Sequence, residues 1–479
     1  MIESRHTILH SISFSMKHLL LLFSFVLTGY CLATEKPNII YINADDLGVM
    51  DVAFMGDTRY HTPNLSRLAK QGMVFTEAYA PSANCAPSRA ACLSGQAAPR
   101  TGVYTVGTSE RGKKATRKLI PTPNTTHLDN DCVTLADEMK AAGYLTCQIG
   151  KWHVGKDPEK QGIDINIAGA HWGTPPGGYY PPYKNKHLKD GPADEYLTDR
   201  LTNEAIQFLT KHKDQSFFLY LPYYSVHTPI QGRRDLLKNY PELKGVQRQY
   251  AAMVEALDEN IGRLLDTLDT LKLSDNTLLV FSSDNGGITK FSSQAPLRSG
   301  KGAYYEGGIR VPVVMRWPNE IPANTTCDVP ITGLDFYPTM VHAVGGTPKP
   351  GKPIDGTNLM PLMTQSGSIP NRALYWHFPI YLEKYSDEDG GRDPLFRTRP
   401  GSVIRYGKWK MHQYFEDGGI ELYDLSADQG ESNNLAQQMP EKTEELMGML
   451  QNWRKKLHAP IPTELNPSYD QRTAPKTAN

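Results

Sequence analysis

The chain has 479 residues, of which 39% are hydrophobic and 21% charged, with a formal net charge of zero. That length suits two or three domains, and the composition excludes a disordered or fibrous chain. With no global field and no run of like charge, electrostatics gives no reason to expect a nucleic-acid or anionic-membrane partner.

The N-terminus stands apart. After Lys17 and His18, the stretch LLLLFSFVLTGYCLA is too short to span a bilayer comfortably and ends in small residues. It predicts a signal peptide over residues 1–33, and hence export to the periplasm or the medium without stable membrane insertion. An uncleaved anchor is the alternative. Lipid attachment at Cys31 is disfavoured by the bulky Tyr30 before it. Export implies an oxidising compartment. Without Cys31 five cysteines remain, Cys85, Cys92, Cys132, Cys147 and Cys327, an odd number with no C-x-x-C pair.

From Pro37, PNIIYINADDLG is an apolar, β-branched run that ends in two aspartates, a buried strand delivering charge at its end. TPNLSRLAKQGMVF has helical spacing after a Thr-Pro start. CVTLADEMKAAGYLTCQIGKWHVG predicts a helix, a glycine stop and a short strand. DEYLTDRLTNEAIQFLTKH is an amphipathic helix, and SFFLYLPYYSVHTP after it a strand. YAAMVEALDENIGRLLDTLDTL is a long helix, followed by the buried strand NTLLVFSSDNGG. This alternation predicts an α/β fold with a large, mainly parallel sheet flanked by helices over residues 34–350. GGTPKPGKPIDGTNLMPLM then reads as a connector. ALYWHF, GSVIRYGKWKMHQY and IELYDL predict short antiparallel strands, and PEKTEELMGMLQNWRKKL a closing helix. These form a smaller α+β domain over 351–465, with a loosely held tail over 466–479.

In open α/β sheets, ligands bind beyond the carboxyl ends of the strands. Four predicted strands end in polar groups: Asp45-Asp46, Lys151-Trp152-His153, His227, and Asp284-Asn285. Asp45, Asp46, Asp284 and Asn285 offer hard oxygen ligands, which suit calcium, or magnesium as the alternative, over zinc. Alone, either acidic pair would be an ordinary strand-end turn; together, on strands far apart in sequence, they read as a metal site. Arg89, Lys151, His153, His227 and Lys301 would add an anion-binding pocket fit for a tetrahedral oxyanion, phosphate or sulfate. Cys85 lies four residues before Arg89, with Pro87 between. That spacing is too short for a phosphate-cradling thiolate loop, and proline removes an N–H. A thiolate is also a poor partner for a hard cation.

Cys85-Ala86-Pro87-Ser88-Arg89, continuing AACLSG, resembles the C-x-P-S-R signature of the type I sulfatases, formylglycine-dependent members of the alkaline phosphatase-like superfamily. NADDLG, GKWHVG, SVHTP, SSDNGG and SGKGAYYEGGIRVP resemble further family motifs in the family order, so the likeness runs from Pro37 to Leu457. It implies that a maturation enzyme oxidises Cys85 to Cα-formylglycine, which would account for the odd cysteine. It implies metal ligation by Asp45, Asp46, residue 85, Asp284 and Asn285. It further implies in-line attack on sulfur by the hydrated aldehyde, sulfate held by Lys151 and Lys301, and residue 85 held by Arg89. His227 would protonate the leaving oxygen, and His153 would take the proton that lets sulfate depart. Cys92, Cys132, Cys147 and Cys327 then allow three disulfide pairings or none.

The loop NIAGAHWGTPPGGYYPPY offers His171, Trp172, Tyr179 and Tyr180 for stacking on sugars, or for packing the loop itself. Arg298 is a candidate for a second anionic group, and GRRD and YSDEDGGRDPLFRTRPG hold further candidates. Export and a basic, aromatic pocket favour a sulfated oligo- or polysaccharide as substrate. A phosphate or phosphonate esterase of the same superfamily, or an arylsulfatase for small aryl sulfates, is the alternative.

Overall fold

The computed structural model describes residues 36–386 and 389–473. The signal-peptide expectation over 1–33, Cys31 included, lies outside them. No helix among the described residues is long and apolar enough to cross a membrane.

The first half alternates as its pattern predicts. β1 is Asn38–Ala44 and α1 is Pro63–Gln71, followed by β2 at Met73–Phe75 and α2 at Cys85–Ser94. α3, Leu135–Ala141, leads into β3, Leu145–Ile149, and β4, Ile165–Ile167. α4, Leu197–His212, precedes β5, Phe217–Pro222. α5, Gly245–Thr270, precedes β6, Thr277–Ser283. β7 at Val313–Arg316 and β8 at Thr325–Cys327 come next, then α6 at Phe336–Ala343. The eight strands form one sheet in the order β4-β3-β5-β1-β6-β7-β2-β8. Only β7 runs against the rest, pairing antiparallel with β6 and with β2.

β1 is buried on both faces because both are covered. Ile40, Ile42 and Ala44 meet the apolar sides of α1, α4 and α5. Ile39 and Tyr41 meet α2, α3 and α6 on the other side. Such two-sided burial is why the strand reads as an unbroken apolar run rather than an alternation. α3 starts with a capping box, in which the Asp137 N–H donates to the Thr134 hydroxyl and the Thr134 N–H to the Asp137 carboxylate. Helix starts of this kind are legible in sequence.

The last third holds β9, Leu374–Phe378, β10, Gly401–Tyr406, β11, Trp409–Tyr414, β12, Ile420–Asp424, and α7, Pro440–Leu457. The four strands form an antiparallel sheet in sequence order, and Leu446 and Leu450 of α7 pack on Ile404, Met411 and Leu422. From Pro37 onward the described residues form one compact unit. Polar groups stitch the halves together. Buried Lys410 on β11 donates to Glu306, 2.9 Å away, and lies 3.0 Å from Glu431. The Trp376 indole donates to the Ala80 carbonyl at 2.9 Å.

Asn466, expected in a loose tail, is buried and donates to the carbonyls of Lys114 and Arg117; residues 474–479 lie outside the described range. The cysteines Cys85, Cys92, Cys132, Cys147 and Cys327 are all free, the unpaired one of the alternatives left open by the sequence.

Candidate active site

The carboxyl ends of β1, β3, β5 and β6 lie side by side, because β1 sits between β5 and β6 while β3 pairs with β5. Asp45-Asp46, Lys151-Trp152-His153, His227 and Asp284-Asn285 therefore converge, as expected of parallel strand ends. Gly150 makes this possible on β3. Its φ is +120°, and a Cβ there would lie 2.0 Å from the Pro222 carbonyl oxygen, so no side chain fits.

Residue 85 arrives from elsewhere, at the first turn of α2. Sequence reasoning finds the motif but misses its helix. The local signals are present: Asn84 at the N-cap, Pro87 in the first turn where its missing N–H costs nothing, and Gly95 closing the helix at φ 67°. Helical geometry also explains the Cys-to-Arg spacing, since residues four apart share a face. From one fully buried face, Cys85 and Arg89 reach neighbouring carboxylates of the same cluster. The Cys85 thiol is 3.5 Å from Asp45 Oδ1 and 3.7 Å from Asp46 Oδ1, and Lys301 Nζ is 3.2 Å from its sulfur. Arg89 Nε donates to Asp284 at 2.8 Å, and its NH1 to the Lys151 carbonyl at 3.0 Å.

Three carboxylates face three cations here. Lys151 Nζ is 2.6 Å from Asp45, Lys301 Nζ is 2.7 Å from Asp46, and Arg89 holds Asp284. Burial would raise the Asp46 carboxyl, but Lys301, with His227 and Lys151, holds it well below the usual carboxylate range. Burial wins at Asp45, which is raised despite Lys151 because Asp284 and Asp46 add like charge. Burial likewise pushes the Cys85 thiol up, against the pull of Lys151 and Lys301. A thiol so raised stays protonated at neutral pH and is a weak nucleophile.

His227 and His153 face the same cavity. His227 Nδ1 is 2.9 Å from the Thr228 carbonyl, which assigns it the proton and turns Nε2 toward Asp46, 3.6 Å away. Burial, then Lys301, lowers its pKa to about 4. Burial, then Lys151 and Arg89, drives His153 well below its ordinary value. His153 has φ 64° and a buried Nδ1 without a hydrogen-bond partner.

The oxygen donors, from Asp45, Asp46 and Asn285, fit a hard divalent cation. Oxygens of Asp45 and Asp46, the Cys85 sulfur and a ring nitrogen of His227 lie within 4.8 Å of one another. The Asn285 amide nitrogen donates to Asp46 at 2.8 Å, while its Oδ1 is buried and has no hydrogen-bond partner. A buried acceptor left unpaired beside two carboxylates is costly unless a cation uses it. Asp284 is more committed than expected, with one oxygen on Arg89 and the other accepting from the Asp46 N–H at 3.2 Å.

The pocket above, about 180 Å³, is lined by Asn84, Cys85, Val106, His153, Gly173, Thr174, His227 and Lys301, together with Arg111, Tyr385 and Arg397. Sequence reasoning does not single out the last three. Tyr385 and Arg397 lie in the candidate stretch YSDEDGGRDPLFRTRPG, and Arg111 carries no local signal. The wall at Val106 is pinned by Asn124, whose amide bonds the backbone of Tyr104, Thr105 and Gly107, and Asn84 donates to the Thr105 hydroxyl at 3.1 Å.

Other expectations fall outside the pocket. Arg298 does not face it; its guanidinium stacks on Tyr305 and donates to the Gly390 and Glu431 carbonyls and the Tyr423 hydroxyl. Tyr179 is fully buried, its hydroxyl donating to the Tyr224 and His227 carbonyls, so it braces the His227 turn. Tyr180 stacks with Arg234. His171 and Trp172 pack against each other, just before the pocket residues Gly173 and Thr174 in the chain.

Known proteins resemble this chain over most of its length. Residues 37–346 match the model of the family described as sulfatase, and residues 300–459 that described as N-sulphoglucosamine sulphohydrolase, C-terminal. A sulfatase of Formosa agariphila is 33% identical, covering 85% of this chain and 86% of that protein. N-acetylgalactosamine-6-sulfatase of Sus scrofa is 30% identical over 75% of this chain and 72% of its own length. The crystal structure of Ps i-CgsB in complex with k-i-k-neocarrahexaose matches with a TM-score of 0.71 and 29% identity, covering 92% of this chain and 95% of that one.

Proposed function

Since the chain belongs to the sulfatase family and is a sulfatase enzyme of the alkaline phosphatase-like superfamily, we propose that it hydrolyses a sulfate ester on a carbohydrate, using Cα-formylglycine formed at Cys85 and a bound calcium ion. The observation that carries this reading is the seat of Cys85. A buried thiol that stays protonated, between two carboxylates and a lysine, is wasted as a cysteine and well placed as the precursor of a hydrated aldehyde. The similarity to an N-acetylgalactosamine-6-sulfatase, and to a structure in complex with k-i-k-neocarrahexaose, supports a carbohydrate substrate.

Asp45, Asp46, Asn285 and residue 85 would hold the cation, with Asp284 beside them; magnesium is the alternative ion. The cation supplies fixed positive charge that makes a hydroxyl more acidic and stabilises developing anion. The hydrated aldehyde supplies one hydroxyl for attack on sulfur and a second through which sulfate can leave by elimination.

The chain's own groups do the rest. Lys151 on Asp45 and Lys301 on Asp46 stand beside the oxygens that would hold the cation, and their ammonium groups would hold the sulfate oxygens. The N-terminus of α2, which begins at residue 85, would add the positive end of its dipole. Arg89, tied to Asp284 and to the Lys151 carbonyl, orients residue 85 and the β3 turn. His227 directs Nε2 into the pocket and is suited to protonate the departing oxygen; the negative charge of an arriving ester opposes the lysines that depress its pKa. His153, held neutral by burial and by Lys151, keeps a lone pair for the proton released as sulfate departs. Residues 1–33 support export, and the reading needs a maturation enzyme that oxidises Cys85.

Mass spectrometry of the peptide holding residue 85, with activity on 4-nitrophenyl sulfate and 4-nitrophenyl phosphate, tests the reading. Conversion of the cysteine, preference for sulfate, and loss of turnover in Cys85→Ala are expected. Full activity with an unmodified thiol, or a preference for phosphate by orders of magnitude, refutes it.

A further inference from the structure

The pocket mouth is built by segments far from the signature. Leu382–Glu383 pairs with Phe396–Thr398 in a short antiparallel ladder. Glu383 accepts three hydrogen bonds from Arg111, two from Nε at 3.0 Å and one from NH2 at 2.7 Å. Arg397 is almost fully buried. Its Nε donates to the Glu383 carbonyl at 2.9 Å, its NH1 to the Lys301 carbonyl at 2.8 Å, and its guanidinium lies 3.5 Å from the centre of the Tyr385 ring. Tyr385 itself is 46% exposed, unusual for a large ring in a pocket wall.

The charges of this mouth balance. Of the described arginines lining the pocket, Arg111 sits on Glu383 and Arg397 lies 3.9 Å from Asp389. A forked arginine–carboxylate pair offers donors and acceptors together with no net charge. It can hydrogen-bond sugar hydroxyls or an amide. A second sulfate or a carboxylate at the same place would face the Glu383 carboxylate or have to break the pair, leaving a half-buried charge without its partner. The exposed Tyr385 ring, braced from behind by Arg397, presents a flat apolar surface to the C–H face of a pyranose.

We propose that Arg111, Glu383 and Tyr385 seat the sugar ring bearing the scissile ester, and that this seat selects a ring carrying one sulfate and otherwise neutral. The inference rests on the carbohydrate-sulfatase reading above. The three residues act on sugar recognition while Lys151, Lys301 and the histidines act on the sulfate. Because Arg397 links the Tyr385 ring to the backbone of Lys301, the ring and the sulfate site are held in fixed register.

The test is kcat/KM for a monosulfated neutral hexose, its disulfated counterpart, a sulfated disaccharide containing a uronate, and 4-nitrophenyl sulfate, which fills the sulfate pocket alone. Wild type is expected to favour the monosulfated neutral sugar over the other two sugars by about tenfold or more. Glu383→Gln, which frees the Arg111 charge, should narrow that preference by about tenfold. Tyr385→Ala, at an exposed site that leaves the core intact, should lower the ratio of sugar to 4-nitrophenyl sulfate turnover by about tenfold. A wild-type preference for the disulfated sugar or the uronate, or ratios within threefold of wild type in both variants, overturns the inference while leaving the carbohydrate reading intact. Turnover of 4-nitrophenyl sulfate with none of any sulfated sugar refutes the carbohydrate reading, and this inference with it.

Discussion

Gly173→Ala tests whether the position of His153 matters to the chemistry. Gly173 is a pocket residue whose φ lies outside the left-handed region, so alanine brings no conformational strain of its own. A Cβ built there would lie 2.7 Å from His153 Cε1 and 2.8 Å from Nε2, where 3.4 Å begins ordinary contact. The ring or the Gly173 loop must therefore give way by about 0.7 Å, at a stability cost of about 1–3 kcal/mol. His153 is fixed on the other side by its backbone, whose N–H donates to the Ala170 carbonyl at 2.9 Å. A displacement approaching 1 Å in a positioned catalytic group costs about 10²-fold in rate. The expected result for Gly173→Ala on 4-nitrophenyl sulfate is a fall in kcat of about 10–100-fold, with the fold retained by circular dichroism. A variant crystal structure with the ring displaced, together with kcat within threefold of wild type, would refute the assignment of a proton-transfer role to His153.

Three further outcomes are expected. Chelation should abolish turnover, and calcium should raise the melting temperature, by the equivalent of about 2.7 kcal/mol at a hundred times its Kd; Asn285→Ala should shrink that rise, and an unchanged rise would remove Asn285 from the ligand set. Lys410→Met leaves Glu306 and Glu431 buried without their shared cation, which should cost about 3–5 kcal/mol in chemical denaturation; a midpoint equal to wild type would show that the cluster does not tie the C-terminal sheet to the larger one. Burial lowers His377 to about 4, so between there and its unfolded value near 6.5 the unfolded chain binds more protons. Stability should be fully present above pH 6.5 and fall as pH drops toward 4, by about 3 kcal/mol from this residue. In His377→Gln that part of the pH dependence should vanish from denaturation curves, and its persistence would locate the dependence elsewhere.

Much of the fold is readable from local pattern. Runs such as NIIYINA announce strands buried on both faces, and α3 announces its start with Thr134 and Asp137. The polar ends of those runs point to Asp45, Asp46, Lys151, His153, His227, Asp284 and Asn285, because parallel strands deliver their succeeding residues to one edge of the sheet. α2 escapes such reading although its cap, proline and closing glycine are present, since its small residues give little apolar periodicity. Other failures have no local signal. The basic stretch around Arg298 looks like an anion site, yet its bonds go to carbonyls at Gly390 and Glu431, distant in the chain. Spacing alone leaves the pairing of the four remaining cysteines open, whereas Cys147 lies in the core from the middle of β3 and is free.

The sequence by itself determined the elements, the strand-end donors and the family signature, since each depends on residues within a few positions of one another. Only the tertiary structure decided what closes the pocket. The strand order puts β1 between β5 and β6, and it gathers donors from Asp45 to Asn285 around Cys85. The ladder at 382–398 then carries Glu383 to Arg111 and Arg397 to Lys301, across 272 and 96 residues of chain. Such pairings are set by how sheets stack and loops return over them, which no local pattern encodes. The chemistry was therefore legible in the motifs, while the charge-balanced mouth that chooses the substrate emerged only when distant segments met.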